Sequence, residues 1–402
     1  MCRVKGGVIM PTVNRAIKYR IHPSEEQGIQ IRQTFGCVRK VFNAAIELQD
    51  GLHAAKMGAM SKMDLNNHIN RTMKEDMPYL RDVDKFALTN AAYNAIAGYK
   101  NFFEGRAKHP RFKSRKDSKQ AYTTNWTHGN IAVIPPEKKD SVRGKVKLPK
   151  LGLVDAVIHR VPPEDWVIKS ATVSMNNSGE YFVSVLFVYE QEPAPYIPIP
   201  NKNRAIGLDY SSPDFYVDSD GNDAGVPHFY RTMEAKLARE QRRLSKMTKG
   251  SNNYAKQKIK VDKLHRKIAN QRKDFCHKLS RKIANFYDAV CVEDIDLRPM
   301  SRSLNLGKST MDNGFGMFRV FLQYKLERQG KYFVVIDRWF PSSKTCNHCG
   351  YINHELQLSD RVWVCPHCGE VILRDPNAAK ISCDLLKRRS CGRRALACSM
   401  TC

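Results

Sequence analysis

At 402 residues the chain is long enough for two or more domains with cores of their own, which excludes disulfide scaffolds and peptide hormones. Its 67 Lys and Arg against 40 Asp and Glu give a formal net charge of +27, while a hydrophobic share of 42% is close to a globular average, so the chain folds and faces a polyanion. Membrane surfaces also attract cations, but no run approaches the roughly 18 apolar residues of a spanning helix, so nucleic acid is the expected partner.

In chain order, Met1–Met10 lacks the apolar stretch of a secretory signal, and a cytoplasmic protein is expected. Residues 13–22 alternate apolar and basic side chains, the period of a half-buried strand, and Pro23-Ser24 ends it. Ile29, Ile31, Phe35, Val38, Val41, Phe42, Ala45 and Leu48 then form one face of a long helix. A second such face runs from Lys85 through Phe86, Leu88, Ala92, Ile96 and Tyr99 to Phe103, so a helical bundle is predicted over roughly 24–105. The stretch Arg106–Lys119 is basic, broken by Pro110 and interleaved with aromatics; Arg106, Arg111, Lys113 and Arg115 are candidate nucleic-acid contacts.

From about 128 to 190 the period returns to two, clearest in Lys169–Met175 and Tyr181–Tyr189, with Asn176-Asn-Ser-Gly179 as the hairpin turn. Pro-rich Gln191–Asn203 reads as a linker, and Arg204–Ser211 as a short buried strand that carries an acid. Two helices are expected at 231–248 and 253–287. Across 231–285 there are 18 Lys and Arg against 4 Asp and Glu, an imbalance that suits a surface lying on phosphates, with Arg242, Arg243, Lys263 and Arg266 as candidate contacts. A buried strand at 288–295, a helix near 311–329 and a strand at Tyr332–Asp337 follow, the order of an α/β sheet. No internal repeat is found.

Cys346-Asn-His-Cys349, fifteen residues, then Cys365-Pro-His-Cys368 is the spacing of a four-cysteine zinc ribbon. A closed tetrahedral site leaves no place for water, so one structural Zn²⁺ is expected; His348 and His367 compete only weakly as ligands. Cys383, Cys391, Cys398 and Cys402 lack ribbon spacing and read as plain thiols. Three acids also stand out: Asp209, Glu293 and Asp375, two on buried strands and one at a helix start. Cleaving a phosphodiester with two divalent ions about 3.5–4 Å apart needs several hard oxygen ligands from separate elements, and carboxylates suit Mg²⁺ or Mn²⁺. Each acid alone is a weak signal, since a lone acid at a strand end is more often a helix cap or ion-pair partner, and Asp294, Asp296, Asp218 and Asp220 are lower-ranked rivals, with 218–221 reading as a turn.

The set Ile206-Gly-Leu-Asp209, Val292-Glu293-Asp294, Phe340-Pro-Ser-Ser-Lys-Thr-Cys-Asn-His-Cys-Gly350, Cys365-Pro-His-Cys-Gly369 and Arg374-Asp375-Pro-Asn-Ala-Ala379 resembles TnpB, the RNA-guided nuclease family of insertion sequences related to type V CRISPR effectors. Asp82–Asn90, Tyr99–Phe103, Pro110–Lys113 and Leu148–Gly152 extend the resemblance over nearly the whole chain. Ser211 departs from it where the family usually has Gly, as does Leu373 where an acid commonly precedes Arg374-Asp375.

The resemblance implies a multidomain α/β protein. A β-barrel-like wedge domain (1–23 and 128–195) would be interrupted by a helical recognition domain (24–127). A RuvC-like nuclease domain of RNase H fold (196–345 and 370–402) would carry the zinc ribbon (346–369) as an insertion. It further implies a catalytic triad of Asp209, Glu293 and Asp375 holding two Mg²⁺, a transposon-derived guide RNA, and double-stranded DNA cut beside a short adjacent motif by a monomer in a ribonucleoprotein. Lys85 and Thr89, four apart on one helical face, would read that motif. The setting implied is the nucleoid of a bacterium or archaeon. A nuclease-inactive RNA-guided repressor and an RNase H-fold transposase are the alternatives. The first is expected to lack triad acids, and the ribbon placed just before the last acid argues against the second.

Overall fold

The computed structural model describes residues 4–5, 8–9, 11–117, 120–138, 140–192, 194–195, 204–295, 312, 314–357 and 359–391. They fall into two compact units, Met1–Glu192 and Pro193–Cys402.

The first unit opens with the short strands β1 (Val4–Lys5) and β2 (Val8–Ile9), then β3 (Thr12–His22). Helix α1 (Glu25–Ala54) starts at a reciprocal cap: the Gln27 N–H donates to the Ser24 hydroxyl and the Ser24 N–H to the Gln27 side chain. The helices α2 (Lys62–His68), α3 (Lys74–Asp76) and α4 (Lys85–Phe103) follow, the last capped by the buried Asp84. Strands β4 (Gln120–Asn125), β5 (Ala132–Ile134), β6 (Arg143–Leu148), β7 (Gly152–Val157), β8 (Val167–Met175) and β9 (Tyr181–Glu190) complete a seven-stranded antiparallel sheet of order β4-β8-β9-β3-β7-β6-β5. The helices are thus inserted in sequence between β3 and β4, two strands of one sheet. They share one core with it, in which Ile31, Phe35, Leu88 and Ala92 join Tyr19, Tyr122, Val173 and Val185.

Two expectations shift. Ile29, counted on the apolar face of α1, is exposed and lines a cleft of about 450 Å³ with Arg32, Arg39 and Arg115. The sheet resumes at Gln120, eight residues before the predicted 128, because Gln-Ala-Tyr-Thr-Thr-Asn buries only Tyr122 and Thr124 and pairs along β8. A strand this polar is held by its partner rather than by a hydrophobic pattern of its own.

The second unit contains β10 (Ala205–Ser211), β11 (Phe215–Asp218), α5 (Phe229–Ser245), α6 (Asn252–Phe286), β12 (Ala289–Glu293), α7 (Phe315–Glu327), β13 (Tyr332–Ile336), β14 (Val362–Val364), β15 (Val371–Leu373) and α8 (Arg374–Cys391). Its main sheet has the order β11-β10-β12-β13, with β10, β12 and β13 parallel and β11 antiparallel at the edge. The central strands are buried along almost their whole length, as parallel strands covered on both faces must be. Ile206, Leu208, Val290 and Val292 pack on α6 and α7; Ala205, Ala289 and Cys291 pack with Cys383 of α8. The predicted tail thiol Cys383 is therefore a core residue, while Cys398 and Cys402 lie outside the described residues, as do Asp296 and most of the predicted linker.

Candidate active site

Alternation along β10 and β12 places the acids. Because Ala205 and Gly207 face α8, so does Asp209; because Ala289 and Cys291 do, so does Glu293. The parallel register pairs Gly207 with Cys291 and Leu208 with Val292, so Asp209 and Glu293 occupy the next, equivalent position on neighbouring strands. Helix α8 brings the third acid, Asp375, in its first turn. That helix approaches β10 so closely that a Cβ at position 207 would collide with the Ala379 carbonyl, which is why Ile-Gly-Leu-Asp needs its glycine.

Asp209 lies in the field of the other two carboxylates. Burial pushes the Asp209 pKa well above the usual carboxylate range, and the negative charges of Glu293 and Asp375 push it further, with Arg374 opposing them. Burial also raises Glu293, and the Ser342 hydroxyl, which donates to its carboxylate, pulls it back. Asp375 accepts from Arg361 at 3.2 Å. With that side chain turned to Arg361, the three acids do not form a cluster of oxygens all within 4.8 Å, and the four cysteines alone do so among the described residues. Partly buried like charges are nonetheless a donor set that a divalent cation neutralises, so the chemistry of the site fits Mg²⁺ or Mn²⁺.

Two of the rivals, Asp294 and Asp218, are occupied elsewhere. Asp294 pairs with Arg338 at 2.7 Å and Arg319 at 3.6 Å, and the hydrogen bond from Arg338 holds its carboxyl low. Asp218 accepts the N–H groups of Asp220 and Asn222, the predicted turn, although Phe215–Asp218 before it forms an unpredicted edge strand. At the two departures from the TnpB pattern, Ser211 donates to Asp214 and Leu373 is exposed on β15.

Cys346, Cys349, Cys365 and Cys368 meet between two tight turns closed by Gly350 and Gly369, both at positive φ. The Cys346–Cys368 and Cys349–Cys365 sulfurs are 3.7 and 3.6 Å apart. Disulfides need about 2.05 Å, whereas four sulfurs about 2.3 Å from a tetrahedral zinc stand about 3.8 Å from each other, so the site fits zinc. Asn377, to which sequence patterning assigns no role, is 3% exposed. Its side-chain oxygen accepts the Asn347 N–H at 3.0 Å inside the first cysteine pair, and its amide donates to the Thr345 carbonyl at 2.7 Å. One side chain thus ties the knuckle to the helix turn that carries Asp375. The only sequence signal for Asn377 and Ser342 is their presence in the motifs shared with TnpB.

The basic candidates are exposed or half-exposed. Arg111 and Arg115 are open, and the Lys113 ammonium lies 3.9 Å over the Phe42 ring. Arg106 pairs with Glu104. Their stretch is held in place: the Lys113 N–H donates to Asn43 at 2.8 Å, and His109 Nε2 lies 2.9 Å from Asp50, to which Tyr99 also donates. In the α5–α6 hairpin Arg242 and Lys263 are exposed, Arg266 half-exposed, and Arg243 pairs with Glu240. Lys85 is exposed at the start of α4, but the Thr89 hydroxyl is engaged by Asn66 and the Lys85 carbonyl.

The chain is similar to several known proteins. Residues 186–304 match the OrfB_IS605 family, described as "Probable transposase"; 315–381 match a Cas12f1-like TNB domain; and 10–56 match a helix-turn-helix domain, here a strand followed by one long helix. A "Putative RNA-guided DNA endonuclease" from Streptomyces pristinaespiralis is 33% identical, covering 92% of this chain and 89% of the relative. InsQ of Escherichia coli K12, named in the same words, is 30% identical over 91% and 90%. Among solved structures, a Cas12f1–sgRNA–target DNA complex superposes with a TM-score of 0.60 at 11% identity, over 92% of this chain and 99% of that one, a likeness of fold alone. With this sequence similarity across nearly its full length, the chain belongs to the TnpB family.

Proposed function

We propose that the chain is an RNA-guided DNA endonuclease that cuts double-stranded DNA beside a short adjacent motif. The observation that carries this reading is the meeting of Asp209, Glu293 and Asp375, from two adjacent parallel strands and one helix, in a chain of net charge +27. Asp209, Glu293 and Asp375 would hold two Mg²⁺, which when bound supply charge neutralisation and an activated water for phosphodiester hydrolysis. The protein's own part is orientation. Ser342 aims Glu293, the tight α8–β10 packing sets Asp209 against Asp375, and Arg361 and Arg374 offer positive charge beside the acids. The four cysteines would hold one structural Zn²⁺.

On this reading 196–345 and 370–402 form a RuvC-like domain and 346–369 its ribbon insertion. The seven-stranded sheet is the wedge, with the 24–105 helices as the recognition insertion. Guide RNA and heteroduplex backbone lie along Arg106–Lys119 and the α5–α6 hairpin, and Lys85 with Thr89 reads the adjacent motif. A monomer in a ribonucleoprotein is the assembly we favour, in the cytoplasm; no helix among the described residues is long and apolar enough to cross a membrane. Purification from cells followed by sequencing of bound RNA tests it. A discrete RNA ending in a variable segment, directing metal-dependent cleavage of matching DNA, is the expected result. Cleavage or strand transfer without RNA would favour a transposase, and guided binding without cleavage a repressor.

A further inference from the structure

Trp339 is 84% exposed, the most open large apolar side chain among the described residues. That exposure leaves most of a large aromatic face open to a ligand. Trp339 lies three residues after Ile336, the register partner of Glu293, and three before Ser342, whose hydroxyl donates to Glu293. Three residues span at most about 11 Å, so the Trp339 backbone lies within that reach of both Ile336 and Ser342, the two positions set against Glu293.

The turn that presents it is pinned. The Trp339 N–H donates to the Asp337 carboxylate at 2.8 Å, the Phe340 N–H to the Asp337 carbonyl at 3.1 Å, and the Ser342 N–H to the Phe340 carbonyl at 2.8 Å. Next to it, Arg338 is locked on Asp294 at 2.7 Å. An open indole on a pinned turn, next to Arg338 and Asp294, suits a planar π-system on a polyanion.

We propose that Trp339 is a stacking platform for an unpaired nucleobase of the DNA strand that enters the carboxylate site. A base inside a duplex has both faces covered, so the platform takes single-stranded DNA, and it does so with little regard to sequence because every base has a π-face. The proposal rests on the reading of Asp209, Glu293 and Asp375 as the cutting site.

The test uses the full chain without added Mg²⁺ or Mn²⁺ and with two probes of equal length, oligothymidylate and an abasic deoxyribose-phosphate strand. The chain has four tryptophans, so the fluorescence difference between wild type and Trp339→Phe reports position 339. Oligothymidylate should quench that difference signal and the abasic strand should not. Trp339→Ala should weaken oligothymidylate binding about 5- to 150-fold, the equivalent of roughly 1–3 kcal/mol of stacking, leave abasic binding unchanged, and be largely rescued by Trp339→Phe. Equal quenching by both strands, unchanged binding in Trp339→Ala, or a fall in melting temperature with binding intact would overturn the proposal. Failure of the reading beneath it looks different: Asp209→Ala would still cut DNA while the Trp339 signal persisted.

Discussion

The second unit contains two candidate metal centres built in opposite ways. The cysteine site is local: two pairs, each on its own tight turn, 3.6–3.7 Å between sulfurs, tied to a helix by Asn377. The acid site is assembled at long range from positions 209, 293 and 375, burial and the charges of the other two raise the pKa of Asp209, and Asp375 is turned to Arg361. The thiols are held by the geometry of their two turns, whereas carboxylates at ordinary pH repel one another and lean on any nearby cation. A folded scaffold must therefore hold the acids together against their own charge, while the ribbon needs little beyond its own residues.

The largest effect expected is on cleavage. Asp209→Ala, Glu293→Ala or Asp375→Ala should each lower it by on the order of a thousandfold or more while guide and target binding persist, since the basic surfaces are elsewhere. Near wild-type cutting by Glu293→Ala would move the assignment to Asp294. Mn²⁺ should replace Mg²⁺, and EDTA should stop the reaction.

Cys346→Ser should act on folding as well as activity, because a structural site contributes its binding energy to the fold. Elemental analysis should give about one zinc per chain in the wild type and little in the variant; active protein free of zinc would end the claim. Asn377→Ala probes the tie between the two centres. It leaves the Asn347 N–H and Thr345 carbonyl without their partner, at about 1–3 kcal/mol of stability, and should lower zinc retention and cleavage together. Cleavage falling alone would show that the two centres are uncoupled.

In the basic regions, neutralising Arg111 with Arg115, or Arg242 with Lys263, should weaken binding alike for all guides and make the salt slope shallower by roughly one for each phosphate that loses its cation. Replacing Lys85 or Thr89 should instead shift adjacent-motif preference in a randomised-flank cleavage assay; uniformly weaker cutting would assign both to the backbone.

The smallest effect is one of pH. Lys325, 3% exposed, donates to the His277 carbonyl and the Ser280 hydroxyl, and burial, reinforced by Arg281, brings its pKa down from 10.5 to about 8. Between those values the unfolded chain holds more protons than the folded one, so stability rises with pH there. Lys325→Met should flatten that rise and leave the chain at least as stable at neutral pH. A steeper dependence in melting curves would contradict this.

What was legible in the sequence is what local chemistry determines. Four cysteines in two short pairs define a ribbon wherever it is placed, the 3.6-residue spacing defines α1 and α4, and 27 surplus positive charges call for a polyanion. The motifs around Asp209, Glu293 and Asp375 also singled out, by resemblance, three acids that the fold makes neighbours. Tertiary structure decided the rest. Only the β10–β12 register sets Asp209 level with Glu293, and only the approach of α8 over Gly207 brings Asp375 to them. Gln120–Asn125 becomes a strand because β8 offers it hydrogen bonds, and Asn377 matters because its partners come from a turn some thirty residues away in sequence. These are pairings between distant segments, and a one-dimensional pattern of hydrophobicity carries no record of which segments will meet.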